Sequence, residues 1–377
     1  MPKVSVVIPC HNCERTIDAT LASVLAQSLA DFEVVCVDNS SSDGTPRLLE
    51  EAAKKDGRVR VIFESALGEG PAREAGRRAA TGEWLYFLDS DDLMDPELLS
   101  HAVSRGESTG ADLVVFRTSY LDDVTGEVRP CDECFRTDWI HDWTREGVFE
   151  PTANPERLFN SFQNWVHNKL YRASFVDGHG LEFQPVHRMA DILFTCRALA
   201  EAHSIALLDE SLHLYRCNNL GSALHTPDAY PLDFFEAFVE LKHSLQKKGL
   251  FDLYRNSYID WAEEAVAMNL YRSNSFAGFK VIVQRMKDGG LDELFIGERP
   301  QALVDNAIRH ECCMAIRDLS LEEIGFHYFY LERRHMRDLE TQLSWSRGEI
   351  RGLKSLRSYR LHEKLLALKL RLCRPSV

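Results

Sequence analysis

The chain has 377 residues, 45% of them hydrophobic and 27% charged, enough for two or three domains with packed cores. Its formal net charge of −14 excludes a protein that neutralises nucleic-acid phosphates over its whole surface. No apolar run reaches the roughly 18 residues that span a bilayer, and Met1-Pro2-Lys3-Val4 enters a strand pattern without a basic region and long apolar segment, so the expected location is the cytoplasm.

Lys3-Val4-Ser5-Val6-Val7-Ile8-Pro9 is a short, β-branched, nearly continuous apolar run, the pattern of a strand covered on both faces. Ile17, Leu21, Val24 and Leu25 then recur on one face of a helix. A second strand is expected over Phe32–Asp38. After the Asp43-Gly44 turn, Thr45 is suited to cap a helix with Pro46 at its first position and Leu48, Leu49, Ala52 and Ala53 on its face. Val59–Phe63 reads as a third strand, followed by a helix near Pro71–Ala80 that Gly82 ends. The fourth strand, Glu83-Trp84-Leu85-Tyr86-Phe87-Leu88, halts on Asp89-Ser90-Asp91-Asp92, and Asp95 with Pro96 is suited to start the next helix.

Strands alternating with helices in this way predict a Rossmann-like, mainly parallel α/β sheet whose ligands lie beyond the carboxyl ends of its strands. Gly68-Glu69-Gly70 begins a G-x-G, but Arg73 stands where the third glycine belongs and the motif follows the third strand, so a nicotinamide site is rejected. Beyond about residue 225 the strand signal fades, and Pro231–Lys247 and Tyr254–Leu270 read as helices of a C-terminal helical region. The expected divisions are an α/β domain over 1–225, a helical domain over 226–330 and a C-terminal helix over 331–377.

In that last segment Met336, Leu339, Leu343, Ser346, Ile350 and Leu353 form a heptad-like seam of under three heptads. Two readings stay open for it: homo-oligomer formation, or packing of a helix on its own domain. Residues 351–377 hold eight Lys/Arg and one acid, and the overall −14 minus this +7 leaves −21 on residues 1–350. Leucines interleave with these cations, the pattern of an amphipathic helix that lies peripherally on an anionic membrane surface or on the acidic body itself. Two cysteine pairs, Cys10/Cys13 and Cys131/Cys134, have CxxC spacing. Structural thiols are expected, since a shared zinc site needs both pairs to converge across more than a hundred residues.

Three acids crowded at a strand end repel one another unless a cation neutralises them, and hard divalent ions favour carboxylate oxygens. Asp89-Ser90-Asp91 has the D-x-D form, which points to Mg²⁺ or Mn²⁺ completed by the phosphates of a nucleotide diphosphate. A solvated acidic loop is the competing reading, and the position after a wholly apolar strand favours the site.

The chain resembles glycosyltransferase family 2, inverting enzymes of the GT-A fold that use nucleotide sugars. The likeness runs in order over residues 1–225: Val4–Asn12, Val37–Thr45, Gly68 with Ala72-Arg73-Glu74-Ala75-Gly76, Gly82–Asp92, and Asn168-Lys169-Leu170-Tyr171-Arg172. The helical continuation is similar to that of bacterial members that build surface polysaccharides. The resemblance implies Asp38, Pro9 and His11 around the base and ribose, Asp89 on the ribose, Ser90 in the donor pocket, Asp91 as metal ligand and Arg73 beside the nucleotide. Leu214-Tyr215-Arg216 and Ser222 match a strand and loop that closes over the donor in relatives, which makes Arg216 a phosphate contact. The family also carries a Glu-Asp pair after the lysine motif. Here Met189-Ala190-Asp191-Ile192 matches it, so Asp191 is the expected base and Ala190 replaces its partner. Asn39 stands where many relatives have a second aspartate, and His11 where a tyrosine is common.

The expected activity is thus metal-dependent inverting transfer of a hexosyl group from a UDP-sugar to a saccharide or lipid-linked saccharide acceptor in cell-surface polysaccharide synthesis, with no nucleic-acid partner. Two rivals stand beside it. A nucleotidyltransferase that makes nucleotide sugars would share the sheet and the metal, and a degenerate nucleotide-sugar-binding protein would explain Asn39 and Ala190.

Overall fold

The structure, a computed structural model, describes residues 1–132, 134–217, 227–298 and 307–327. Contacts divide the chain into two compact units, Met1–Arg317 and Asp318–Val377. Ser222, the heptad-like seam and the basic tail lie outside the described residues.

The first unit is organised by one sheet of strands β1 (Val4–Cys10), β2 (Phe32–Asp38), β3 (Val59–Phe63), β4 (Trp84–Phe87), β5 (Leu93–Met94), β6 (Leu113–Asp122), β7 (Val128–Pro130), β8 (Thr144–Arg145), β9 (Val148–Phe149), β10 (Lys169–Arg172) and β11 (Ile205–Cys217). Their order is β3-β2-β1-β4-β10-β6-β11-β9-β8, with β5 on β11 and β7 on β6. β1 runs parallel to both β2 and β4, so Cys10 comes beside Asp38 and Val7 beside Phe87, and three strands end at one edge. β10 enters antiparallel between β4 and β6, while β6 and β11 are parallel. The expected mainly parallel α/β sheet with flanking helices is present.

The helices are α1 (Ile17–Leu25), α2 (Thr45–Lys55), α3 (Glu69–Ala79), α4 (Leu98–Thr109), α5 (Thr137–Ile140), α6 (Ala173–His179), α7 (Asp191–Glu201), α8 (Asp233–Lys247), α9 (Phe251–Arg272) and α10 (Phe276–Arg285), with a further helix over Ala307–Asp318. α8 and α9 occupy the two segments expected to be helical. Among the described residues no helix is long and apolar enough to cross a membrane.

Helix α3 places two site residues, and glycine lets it. A Cβ on Gly76 would come 2.2 Å from Val7 Cγ1, so only a bare Cα allows the helix to press this closely on β1. That contact carries Glu69 and Arg73, in its first turn and a half, over the strand ends.

Two helix starts differ from expectation. Thr45 does not cap α2: Gly44 holds the cap position, and Thr45 Oγ1 accepts instead from the Cys13 amide at 2.8 Å. Asp43 Oδ1 takes the Thr45 amide at 3.0 Å, an Asx interaction that serves the same end. Asp95 Oδ1 accepts from the Glu97 amide at 2.9 Å, and α4 begins only at Leu98. The cysteines of the described residues are free thiols. Cys13 bonds to Thr45 whereas Cys131 and Cys134 bond to Tyr120 and Thr118, so the two CxxC pairs have separate surroundings.

Candidate functional site

The strand ends of β1 and β2 are joined by the residues expected around the nucleotide. Pro9 pairs with Val37 in the ladder, and His11 follows the last residue of β1. His11 Nδ1 donates to the Asn39 carbonyl at 2.7 Å, which leaves Nε2 to accept from Asn12 Nδ2 at 3.1 Å. Asp38 is buried and its Oδ1 accepts from the Ser41 amide at 3.2 Å.

Asn39 has a role that an aspartate could not fill. Its Nδ2 donates to the carbonyls of Glu64 and Ala66 at 3.0 and 2.7 Å, while Oδ1 accepts from the Gly68 amide at 2.8 Å. The side chain therefore staples the loop between β3 and α3 to the end of β2. Asn39→Asp replaces both donated bonds by facing oxygens and is expected to cost about 1–3 kcal/mol, read as a lower urea midpoint with unchanged slope.

The acidic turn after β4 is held from several sides. Arg73, 4% exposed, donates through Nη2 to Asp89 Oδ1 at 2.7 Å and through Nη1 to Glu69 Oε2 at 3.0 Å. Burial works against the Asp89 carboxylate, but the Arg73 guanidinium and His167 outweigh it and hold the group well below the usual range. Burial likewise opposes the charge of Arg73, and Asp89, Glu69 and Asp191 overcome it, so the guanidinium stays protonated. The Ser90 carbonyl accepts from Thr20 Oγ1 at 3.0 Å, which anchors the turn to α1.

Arg216 anchors the same turn from β11. Its amide donates to Asp92 Oδ1 at 2.8 Å, its Nε donates to the Asp91 carbonyl at 2.6 Å, and its Nη1 pairs with Asp123. Asp91 is half-buried, whereas Asp92 is fully enclosed.

Asp191 is the first residue of α7 and lies two residues after Met189, whose φ of 58° turns the chain into the helix. Burial first, then Glu69 and Asp89, push its carboxyl up to about 6 against the pull of Arg73. Ala190 is fully buried, and a Cβ added to Gly70 would lie 1.8 Å from the Gln184 carbonyl and 3.2 Å from Ala190 Cβ, so the bare Cα of Gly70 is what lets the first turn of α3 approach this residue. Glu69, on α3, is the nearby acid whose charge, after burial, most raises the Asp191 carboxyl.

Sequence reasoning missed Glu69, His167, Lys169 as a structural cation, and His213. Lys169 is fully buried, and its Nζ donates to the carbonyls of Gln163 and Trp165 and to Asn168 Oδ1 at 2.6, 2.7 and 2.7 Å. Burial lowers its amine to about 7, yet three acceptors match the three hydrogens of an ammonium. Its position in the Asn168-Lys169-Leu170-Tyr171-Arg172 segment was the available signal. The histidines lie far apart in sequence with no spacing to mark them.

Residues 5–180 match the model of glycosyl transferase family 2. The chain carries a glycosyltransferase family 2 domain. EpsH of Bacillus subtilis (strain 168) is 31% identical over 219 residues, 57% of this chain and 61% of the relative. ExoO, a succinoglycan biosynthesis protein of Rhizobium meliloti (strain 1021), is 41% identical over 218 residues, again 57% and 61%. The chain thus spans about three fifths of the length of these two relatives. In three dimensions it is similar to Staphylococcus aureus TarS 1–349, solved in complex with UDP-GlcNAc, with a TM-score of 0.65 and 21% identity over 88% of this chain and 92% of that one. At that identity the likeness shows a shared fold alone.

Proposed function

We propose that this chain transfers a sugar from a UDP-sugar to a saccharide or lipid-linked saccharide acceptor, with inversion at the anomeric carbon, in the synthesis of cell-surface polysaccharide. The observation that carries the reading is the buried Arg73 guanidinium, which holds Asp89 at 2.7 Å and lies in the field of the raised Asp191 carboxyl. One cation thereby joins an ionised carboxylate suited to a ribose with a second carboxylate suited to taking a proton near neutral pH. TarS binds UDP-GlcNAc and ExoO belongs to succinoglycan biosynthesis, which supports the donor and product classes.

In this reading residues 1–225 are the catalytic part, 226–330 a helical domain and 331–377 a C-terminal helix. Pro9, His11 and Asp38 line the base and ribose, Asp89 and Ser90 hold the sugar nucleotide, and Arg216 lies on the diphosphate side. Asp191 takes the proton of the acceptor hydroxyl. The donor set fits a hard cation: the half-buried Asp91 brings carboxylate oxygen to the turn after β4, next to the Arg73-bound Asp89. When bound there, Mg²⁺ or Mn²⁺ would neutralise charge on the departing diphosphate.

The test is UDP release from a panel of UDP-sugars with Mn²⁺ or with EDTA. Release that depends on the divalent ion and is lost in Asp91→Ala is the expected result. Donor binding without turnover in the presence of acceptor would favour the degenerate binding protein, and pyrophosphate release from a nucleoside triphosphate and a sugar phosphate would favour the nucleotidyltransferase.

A further inference from the structure

Three buried side chains that these roles leave unused meet at the back of the acidic turn. Asp92 follows β4, His167 precedes β10 and His213 lies on β11; their exposures are 0%, 3% and 0%. One ligating atom from each lies within 4.8 Å of the others. Asp92 Oδ2, His167 Nε2 and His213 Nε2 are all enclosed without a hydrogen-bond partner. Asp92 Oδ2 and His213 Nε2 approach to 3.1 Å, but without the alignment of a hydrogen bond. Orphaned buried polar atoms are costly, and three of them at one place call for a shared positive occupant.

The outer edges of both imidazoles are occupied. His167 Nδ1 lies 3.5 Å from Asp89 Oδ2, and His213 Nδ1 lies 3.4 Å from Thr118 Oγ1. A polar partner on the far nitrogen is what orients a metal-bound imidazole and fixes its tautomer. Burial also keeps both rings in the neutral form that binds metals, with His213 lowered to about 3.

We propose that Asp92, His167 and His213 form a buried N2O site for one d-block divalent cation, zinc by preference, which shares no ligand with the hard-cation position at Asp91. Two imidazole nitrogens and one carboxylate oxygen suit zinc and its neighbours in the first transition row, whereas magnesium favours oxygen alone. The ion would tie the turn after β4 to β11 and to the segment before β10, fixing the back of the donor pocket. The two imidazoles stack with centroids 4.3 Å apart and 16° between their planes, so loading turns one ring to bring its lone pair onto the ion. The competing occupant is a proton shared between Asp92 Oδ2 and His213 Nε2, which lie 3.1 Å apart.

Metal content separates the two. The untagged full chain is loaded with Zn²⁺ or Co²⁺, gel-filtered, and assayed by mass spectrometry and visible absorption. The expected result is one ion per chain, with tetrahedral Co²⁺ bands that lack thiolate charge transfer. The ion should be retained in Asp91→Ala and bound about 100-fold more weakly or worse in His167→Gln and His213→Gln. Wild-type chain that holds no stoichiometric ion after loading overturns the proposal and leaves the proton. A thiolate-dominated Co²⁺ spectrum, or loss of the ion in Asp91→Ala, also overturns it. Wild type and Asp91→Ala decide the matter even if the histidine variants do not fold.

Discussion

Asp191→Asn is expected to lower the transfer rate by about 10²–10⁴-fold while donor affinity changes by about twofold or less, because the amide keeps the shape of the side chain and loses its basicity. The pH dependence follows from the same group. Only the ionised carboxylate can accept a proton, and burial with the nearby Glu69 and Asp89 raises the carboxyl to about 6. The wild-type rate should therefore climb as pH rises through about 6 and level off above it. Stability runs the other way. A folded-state value raised above the ordinary 3.8 contributes stability that is present below 3.8 and lost as pH rises through about 6, so the ionised group is a burden on the fold at neutral pH. Asp191→Asn should then be as stable as the wild type at pH 7 or more so, measured by urea unfolding, while its activity is lost. Transfer at the wild-type rate by this variant would remove Asp191 from the base role.

The elements legible in the sequence are those whose pattern is local. Val4–Cys10, Phe32–Asp38 and Val59–Phe63 are nearly continuous β-branched runs in a parallel half-sheet, and all three emerge within a residue of expectation. The placement of β9 against β11 and the antiparallel entry of β10 are set by pairing with distant segments, which no local period records, whereas β8 pairs with the adjacent β9 in a short hairpin. The acidic turn was conspicuous because three carboxylates follow a buried strand. The uses of those carboxylates were not, because they depend on partners from elsewhere: Arg73 on α3 for Asp89, Arg216 on β11 for Asp92. Ala190, a departure in the sequence pattern, is a fully buried residue packed under Gly70 in space. Asn39, likewise read as a departure, proves to be a donor to two carbonyls.

Arg73→Met should be the most destabilising single change in the site. It removes the cation between Asp89 and Glu69, side chains that are only 26% and 33% exposed, and leaves two carboxylates facing each other across an apolar methionine. Breaking one partner out of a buried pair costs about 3–5 kcal/mol, and the partial exposure of both acids favours the lower end, so a loss of about 3 kcal/mol is expected by urea unfolding at pH 7. Arg73→Lys should recover only part of it, since an ammonium cannot reproduce the two divergent donors of the guanidinium. UDP binding by calorimetry should weaken in both variants, because Asp89 loses the contact that orients it. The charge explanation has its own signature. Asp89 is held below its ordinary 3.8 in the wild type, so its contribution is present above 3.8 and lost as pH falls below that value. The gap between wild type and Arg73→Met should therefore narrow on acidification from pH 7 to below about 4. A gap of the same size at both ends would assign the loss to the packing of the buried side chain, and the ion pair would no longer explain why Arg73 is needed there.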